Sequence, residues 1–365
     1  MAHGHHVSIP HWSWITPALA GMLLAAVFAS ALSGGAGSVS VLAALLLGAT
    51  IFASVHHAEV LAVRVGEPFG SIILAVAVTV IEVALIVSIM LSDAGGTAVV
   101  ARDTVFSAVM IVLNGVIGAC LVLGGRRHYA QVFQIEAASA ALAVLGTLAI
   151  LTLVLPAFVA AGGEREFAPV QAAVVGLVSL ALYAVFVFVQ TVRHRDFFLD
   201  LGDSDDGADE PSPSNRVTLA SAVLLPLSLT AVILLAKLLS HPLEKAVQAA
   251  GLPQAVVGVV IAAVVLLPEG IASVRAALMN RLQSSVNLVL GSALASIGMT
   301  IPVVAAISVL LDRQLVLGLI PKDIVLLLLT LFVSGITLGT GRTTVLQGAV
   351  HLAIFAVFLL LSAIP

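Results

Sequence analysis

Charge is scarce in this sequence. Asp, Glu, Lys and Arg together make up 9% of the 365 residues, against about 25% in soluble globular domains. With 61% hydrophobic residues, a water-soluble fold is excluded and the chain reads as a polytopic membrane protein. Cysteine is nearly absent: Cys120 is the single one, which excludes an intramolecular disulfide. The opening MAHGHHVSIPHWSW has neither the basic n-region nor the small-residue cleavage site of a signal peptide. Enzymatic signatures are missing too. The chain has no HExxH, no GxSxG and no pair of Asp residues within an apolar stretch, so an intramembrane enzyme has no constellation to stand on. The net charge of −4 decides little where the bilayer governs folding.

What is present is a succession of apolar runs. Eleven are long enough to cross a bilayer as helices, at approximately 14–33, 39–63, 70–92, 103–123, 135–158, 169–190, 217–240, 253–278, 286–311, 322–340 and 344–362; each needs about 20 residues. Helices are the expected form, because backbone groups in lipid must be satisfied within the segment. Charge and turn residues mark the breaks, among them Gly124–His128 and His241–Lys245.

Two of these runs echo each other. Gly66–Leu91 and Gly251–Met279 both open Gly-x-Pro, and both bury a single Glu deep in the segment, Glu82 and Glu269. A carboxylate at the bilayer centre is costly, about 2.5–3.5 kcal/mol on insertion scales. Every Arg and Lys lies at or near a span end, so a proton, water in a cavity or a bound cation is left to offset each charge. Proton and cation then compete for the same oxygens, which is the minimum requirement of a cation/proton antiporter. The plain alternative is a protonated Glu bonded to a neighbouring helix.

The longest polar break, 193–216, carries Asp196, Asp200, Asp203, Asp205, Asp206, Asp209 and Glu210. It reads either as a solvated acidic linker or as a cation-gathering segment, and its spacing is not that of an EF-hand loop. It separates spans two to six from spans seven to eleven. The expected organisation is an extra first helix in 1–38, a five-helix repeat in 39–192, the linker 193–216, and a second five-helix repeat in 217–365. Five is odd, so the second repeat enters the membrane in the opposite sense. Loops on the N-terminal side hold nine Arg and Lys and the opposite side six. That bias favours a cytoplasmic N-terminus and linker, in a multi-pass inner-membrane protein.

Hard cations take oxygen ligands. Span four offers Ser107 and Asn114; span nine offers Asn287, Ser292, Ser296 and Thr300. Asn114 and Ser296 fall at corresponding places when the two spans are aligned from Asp103 and Ser285. Small residues around them, Gly115, Gly118, Gly291, Ala293, Ala295 and Gly298, allow close helix approach and local backbone distortion. Pro268, directly before Glu269, is expected to perturb its helix. Thr79 lies three residues before Glu82, one turn away. His56, His57 and Glu59 sit within about one turn near the end of span two. They read as a proton relay or cation entry, or as interfacial capping. His351, alone in the last span, reads as a packed neutral histidine.

The stretches HHAEVLAVRVGEPFGSIILAVAVTVIEVAL, ARDTVFSAVMIVLNGVIGACLVLGG and LLPEGIASVRAALMNRLQSSVNLVLGSALASIGMTIPVV resemble the two signature repeats of the calcium/cation exchanger superfamily, in its cation/proton antiporter branch. The resemblance implies an all-α membrane protein of about eleven spans, two inverted five-helix halves plus an extra first helix. It further implies one acidic residue from each repeat at a midplane cation site, here Glu82 and Glu269. The sequence departs from the family's Gly-Asn-x-x-Glu pattern: the Asn is replaced by Thr79 in the first repeat and by Val265, ahead of the intervening Pro268, in the second. Fewer side-chain oxygens weaken the case for tight calcium binding and make sodium or potassium plausible beside it.

The expectation is therefore a secondary antiporter, not an enzyme. It moves Ca2+, Na+ or K+ against H+, with no cofactor and no nucleic-acid partner. Glu82 and Glu269 take cation and proton, Thr79, Asn114, Ser292 and Ser296 are further ligand candidates, and His57 and Glu59 join Glu82 and Glu269 in proton coupling. A passive cation channel without proton coupling is the alternative.

Overall fold

Apolar side chains and self-contained hydrogen bonding produce helices wherever the sequence crosses lipid. The computed structural model describes residues 10–29, 37–66, 69–91, 97–159, 165–198, 213–311 and 314–364. The helices there are α1 (His11–Phe28), α2 (Gly37–Val65), α3 (Phe69–Met90), α4 (Val100–His128), α5 (Ile135–Ala157) and α6 (Pro169–Arg193), then α7 (Asn215–Ala249), α8 (Ala255–Val265), α9 (Leu267–Leu278), α10 (Leu282–Leu310), α11 (Pro321–Leu338) and α12 (Val345–Ala363). Ten are long and apolar enough to span a bilayer, and α8 and α9, meeting at a 55° bend, together make an eleventh. The protein is thus an all-α membrane protein: one span, then five, then five of opposite sense.

The span count agrees with the sequence expectation, but several ends move. The expected break at His241–Lys245 does not interrupt the helix; α7 runs through it to Ala249 with Pro226 and Pro242 inside. Charge marks where the bilayer stops, whereas the helical backbone continues into water. The basic run at Arg126–His128 likewise belongs to the last turn of α4, where cations suit the helix dipole. The acidic residues from Asp200 to Glu210 lie outside the described residues.

Two compact units emerge from packing, one of residues 1–94 and 206–246, the other of 95–205 and 247–365. In the first unit α2 packs between α1 and α3. Thr50 and Ser54 return their hydroxyl protons to carbonyls one turn back, at 2.6 and 3.0 Å, so they cost the apolar helix no unpaired donor. Near the end of α2 the Arg64 guanidinium donates to Asn215 Oδ1 at 2.7 Å.

In the second unit α4 contacts α8, α9 and α12. Two glycines permit this closeness. A Cβ at Gly258 of α8 would lie 2.7 Å from the Asp103 carbonyl carbon, and one at Gly348 of α12 would lie 2.7 Å from Val122 N. Backbones approach directly where no side chain intervenes. Arg102 and Asp103, at the start of α4, form a buried ion pair at 2.8 Å, and Arg102 also donates to Gly318 O at 3.2 Å. A short antiparallel ribbon joins β1 (Ala130–Val132) to β2 (Arg342–Thr344), with Gln131 opposite Thr343. It ties the end of α4 to the start of α12. Three-residue strands carry too little alternation to be read from sequence.

Candidate functional site

Glu82 lies within α3 and is 2% exposed; Thr79, one turn earlier on the same face, is 5% exposed. No proline interrupts α3 between Phe69 and Met90, so this carboxylate hangs from a continuous helix. Glu269 has a different backbone. The expected perturbation by Pro268 is a full break at Leu266, after which Pro268 and Glu269 form the first turn of α9. Glu269 is 8% exposed. The start of a helix presents unpaired amides and the positive end of its dipole, a setting that favours negative charge. Ser273, four residues on and therefore above Glu269 on the same face, is fully buried, and its Oγ makes no hydrogen bond within the protein.

The corresponding polar places of spans four and nine both carry π-helical turns. Asn114 sits in the turn Ile111–Val116 of α4, and Ser296 and Thr300 in the turn Ser296–Thr300 of α10. Such turns replace i→i+4 bonding locally and are frequent at functional sites. Gly115 lies in the first turn and Gly298 in the second, and Gly298 is tight: a Cβ there would lie 2.6 Å from Tyr183 Cβ. Gly291, by contrast, has open space around it. The turn in α4 reaches the acidic helix, since a Cβ at Gly270, next to Glu269, would meet Val116 Cγ2 at 3.4 Å. Ser292 is half-buried on α10, and its Oγ also makes no hydrogen bond within the protein.

Asn114 is completely buried and engaged on both sides of its carboxamide. Its Nδ2 donates to Thr330 Oγ1 at 2.9 Å, and His351 Nδ1 lies 3.1 Å from its Oδ1. Thr330, Ser334 and Thr337 are spaced i, i+4, i+7 on α11 and are all buried, with Ser334 Oγ making no bond within the protein. Sequence reasoning passed over this stripe and Ser273, although the helical spacing was there to be read.

The remaining candidates separate. His57 is fully buried in the first unit, with Nε2 at 3.0 Å from Ser13 O and Nδ1 at 3.1 Å from Ser221 Oγ. Because a carbonyl only accepts, Nε2 carries the proton and Nδ1 accepts from Ser221. His57 thereby pins α1 and α7 to α2. Glu59, two residues along, is exposed, so the two side chains leave α2 on different faces. Asn287 donates to Phe198 O at 2.6 Å and accepts from Gln283 at 2.9 Å, near the start of α10. Among the described residues no three His, Cys, Asp or Glu side chains converge on a metal site.

Residues 34–192 and 220–364 match the family described as sodium/calcium exchanger protein. The chain is 66% identical to the Sinorhizobium fredii protein y4hA over 359 residues, 98% of this chain and 97% of that one. It is 37% identical to the sodium-potassium/proton antiporter ChaA of Escherichia coli over 327 residues, 88% of each. Its fold is similar to that of native YfkE, with a TM-score of 0.75 at 15% identity, covering 97% of this chain and 100% of that one. The H+/Ca2+ exchanger CAX follows with a TM-score of 0.69 at 14% identity, covering 95% and 87%.

Proposed function

We propose, on the premise that the chain belongs to the sodium/calcium exchanger protein family, that it exchanges cytoplasmic Ca2+, Na+ or K+ for protons by alternating access in the inner membrane. Membership makes it a cation transporter. The observation that carries it is two carboxylates buried deep within apolar spans, Glu82 of α3 at 2% and Glu269 of the bent α8–α9 span at 8% exposure; the other buried carboxylates among the described residues, Asp103 at 6% and Glu244 at 1%, lie near helix ends. Glu82 and Glu269 each hold a cation in one stage of the cycle and a proton in the other. Thr79 beside Glu82, and Asn114, Ser292 and Ser296 in the unit that holds Glu269, supply further hydroxyl and amide oxygens of the kind that hard cations take. His57 and Glu59 contribute to proton entry near the end of α2. The name of the Escherichia coli relative, a sodium-potassium/proton antiporter, supports the monovalent part of this reading.

The test is cation flux in everted membrane vesicles with and without an imposed pH gradient. Exchange predicts that a proton gradient drives uptake of at least one of the three cations, and that cation addition releases protons. Lowering pH on the cation-loading side should raise the apparent KM more than it lowers Vmax, because protons compete for the same oxygens. Flux indifferent to the pH gradient would sink the proposal in favour of a passive pore.

A further inference from the structure

The buried polar groups around His351 are Asn114, Thr337 and the Leu113 carbonyl. Asn114 Oδ1 can accept but not donate, so the proton between it and His351 Nδ1, 3.1 Å away, belongs to the histidine. His351 Nε2 is then left to accept from the Thr337 hydroxyl at 3.1 Å. On the other side Asn114 Nδ2 donates to Thr330 Oγ1 at 2.9 Å, and Thr330 passes its own proton to Met110 Sδ at 3.4 Å. The opposite orientation of the carboxamide would make Thr330 the donor to Asn114 and strip the thioether of its proton. His351, Asn114 and Thr330 are each 0% exposed, so no bulk water substitutes for a lost partner.

We propose that His351 is a positioning residue for the transported cation. By donating from Nδ1 it holds the Asn114 carboxamide in the π-helical turn with the oxygen fixed as an acceptor. One lone pair of Oδ1 faces the histidine, and the second is left for a cation. A free amide would present N–H as readily as oxygen, and N–H repels a cation. The Thr337 hydroxyl, free to donate, accommodates the unprotonated Nε2, and Thr330 holds the amide nitrogen away. The last span thereby sets cation affinity without contributing a ligand of its own. The inference rests on the proposed transport function and on Asn114 as a ligand within it.

The experiment combines three variants with one measurement on the unaltered protein. Binding of Ca2+, Na+ and K+ is titrated calorimetrically in detergent, and exchange is measured in vesicles. His351→Leu should weaken cation binding about 10-fold or more, the usual cost of losing a partner that orients a ligand, and should raise KM while Vmax changes less. His351→Asn places an amide N–H where Nδ1–H stood and should recover most of the affinity. His351→Gln places its amide at the Nε2 position, by Thr337, and should not. In the unaltered protein, 15N spectra of labelled histidine should show one ring in the Nδ1–H form that shifts in Asn114→Ala. Unchanged affinity in His351→Leu, no recovery in a His351→Asn protein that melts like the original, or an Nε2–H tautomer would each overturn the assignment. If His351→Leu fails to fold, the Asn and Gln pair and the tautomer still decide. Proton-coupled exchange persisting in Glu82→Gln and Glu269→Gln would defeat the carboxylate reading instead, and would leave the tautomer and the order of the His351 variants as stated.

Discussion

Glu82 hangs from the middle of an unbroken helix, whereas Glu269 opens one. The two stretches begin alike and each buries a single acid, yet Pro268 gives the second a different backbone. Proline lacks the N–H that an interior turn needs, and its ring crowds the carbonyl four residues back. The α8–α9 bend of 55° follows. A carboxylate in the first turn of a helix gains from unpaired amides and from the dipole, about 0.3–1 kcal/mol in exposed settings and up to about 2 when partly buried. One in mid-helix gains nothing comparable. The supporting hydroxyls differ as well: Thr79 precedes Glu82 by three residues, whereas Ser273 follows Glu269 by four. The two runs share an acid and differ in the backbone and hydroxyls around it.

The largest effect should come from removing either acid. Glu82→Gln and Glu269→Gln are each expected to reduce proton-coupled exchange about 100-fold or more, since the lost charge is the one that competes with bilayer cost. Vesicle flux, with membrane insertion checked by blotting, measures this. Near-original exchange in one variant would remove that residue from the site and break the equivalence of the two halves.

Straightening the second helix is the sharper probe. Pro268→Ala restores an amide donor at the break and draws Glu269 into a setting more like that of Glu82. Cation KM should rise about 2- to 5-fold, the loss of roughly 0.3–1 kcal/mol of terminal stabilisation. A variant with unchanged KM and pH profile would mean that the bend contributes nothing to cation affinity.

A comparable or smaller change is expected at the hydroxyls. Thr79→Val and Ser273→Ala should each raise KM about 2- to 5-fold, as one oxygen contact of about 0.5–1 kcal/mol is lost. An effect at Thr79 alone would show that the second half has moved its supporting oxygens elsewhere, with Ser292 and Ser296 next to be tested.

The smallest effect belongs outside both helices. Deleting the acidic residues from Asp203 to Glu210 should shift apparent affinity or activation by less than about 3-fold and leave the ratio of Na+, K+ and Ca2+ transport unchanged, because screened surface charge reaches only about a Debye length. Competition flux with mixed cations reads this out. An altered ratio would place the linker in the ion path.

Much of this molecule was legible before any coordinates. Spans, their number and the matched acids follow from apolar run length and from the rarity of charge in lipid, both local properties. Pro268 announced its own break, and the small residues beside Asn114 and Ser296 foretold distortion, which takes the form of π-helical turns. Helix ends were less legible, because Arg126–His128 and His241–Lys245 are charged yet helical. Interfaces and helix ends answer to different forces.

Sequence alone determined that the chain spans a membrane and that each of the two echoing runs carries one acid deep within it, Glu82 and Glu269, because solvation by lipid acts on every residue where it stands. Tertiary structure alone decided which polar groups meet. His351 and Asn114 are 237 residues apart, and His57 and Ser221 are 164 apart. Such pairs form only when packed helices bring buried donors to buried acceptors, and a buried donor without a partner costs about 1–3 kcal/mol. No periodicity within a single helix encodes that meeting, so a lone histidine in the last span reads as filler until its neighbours are seen.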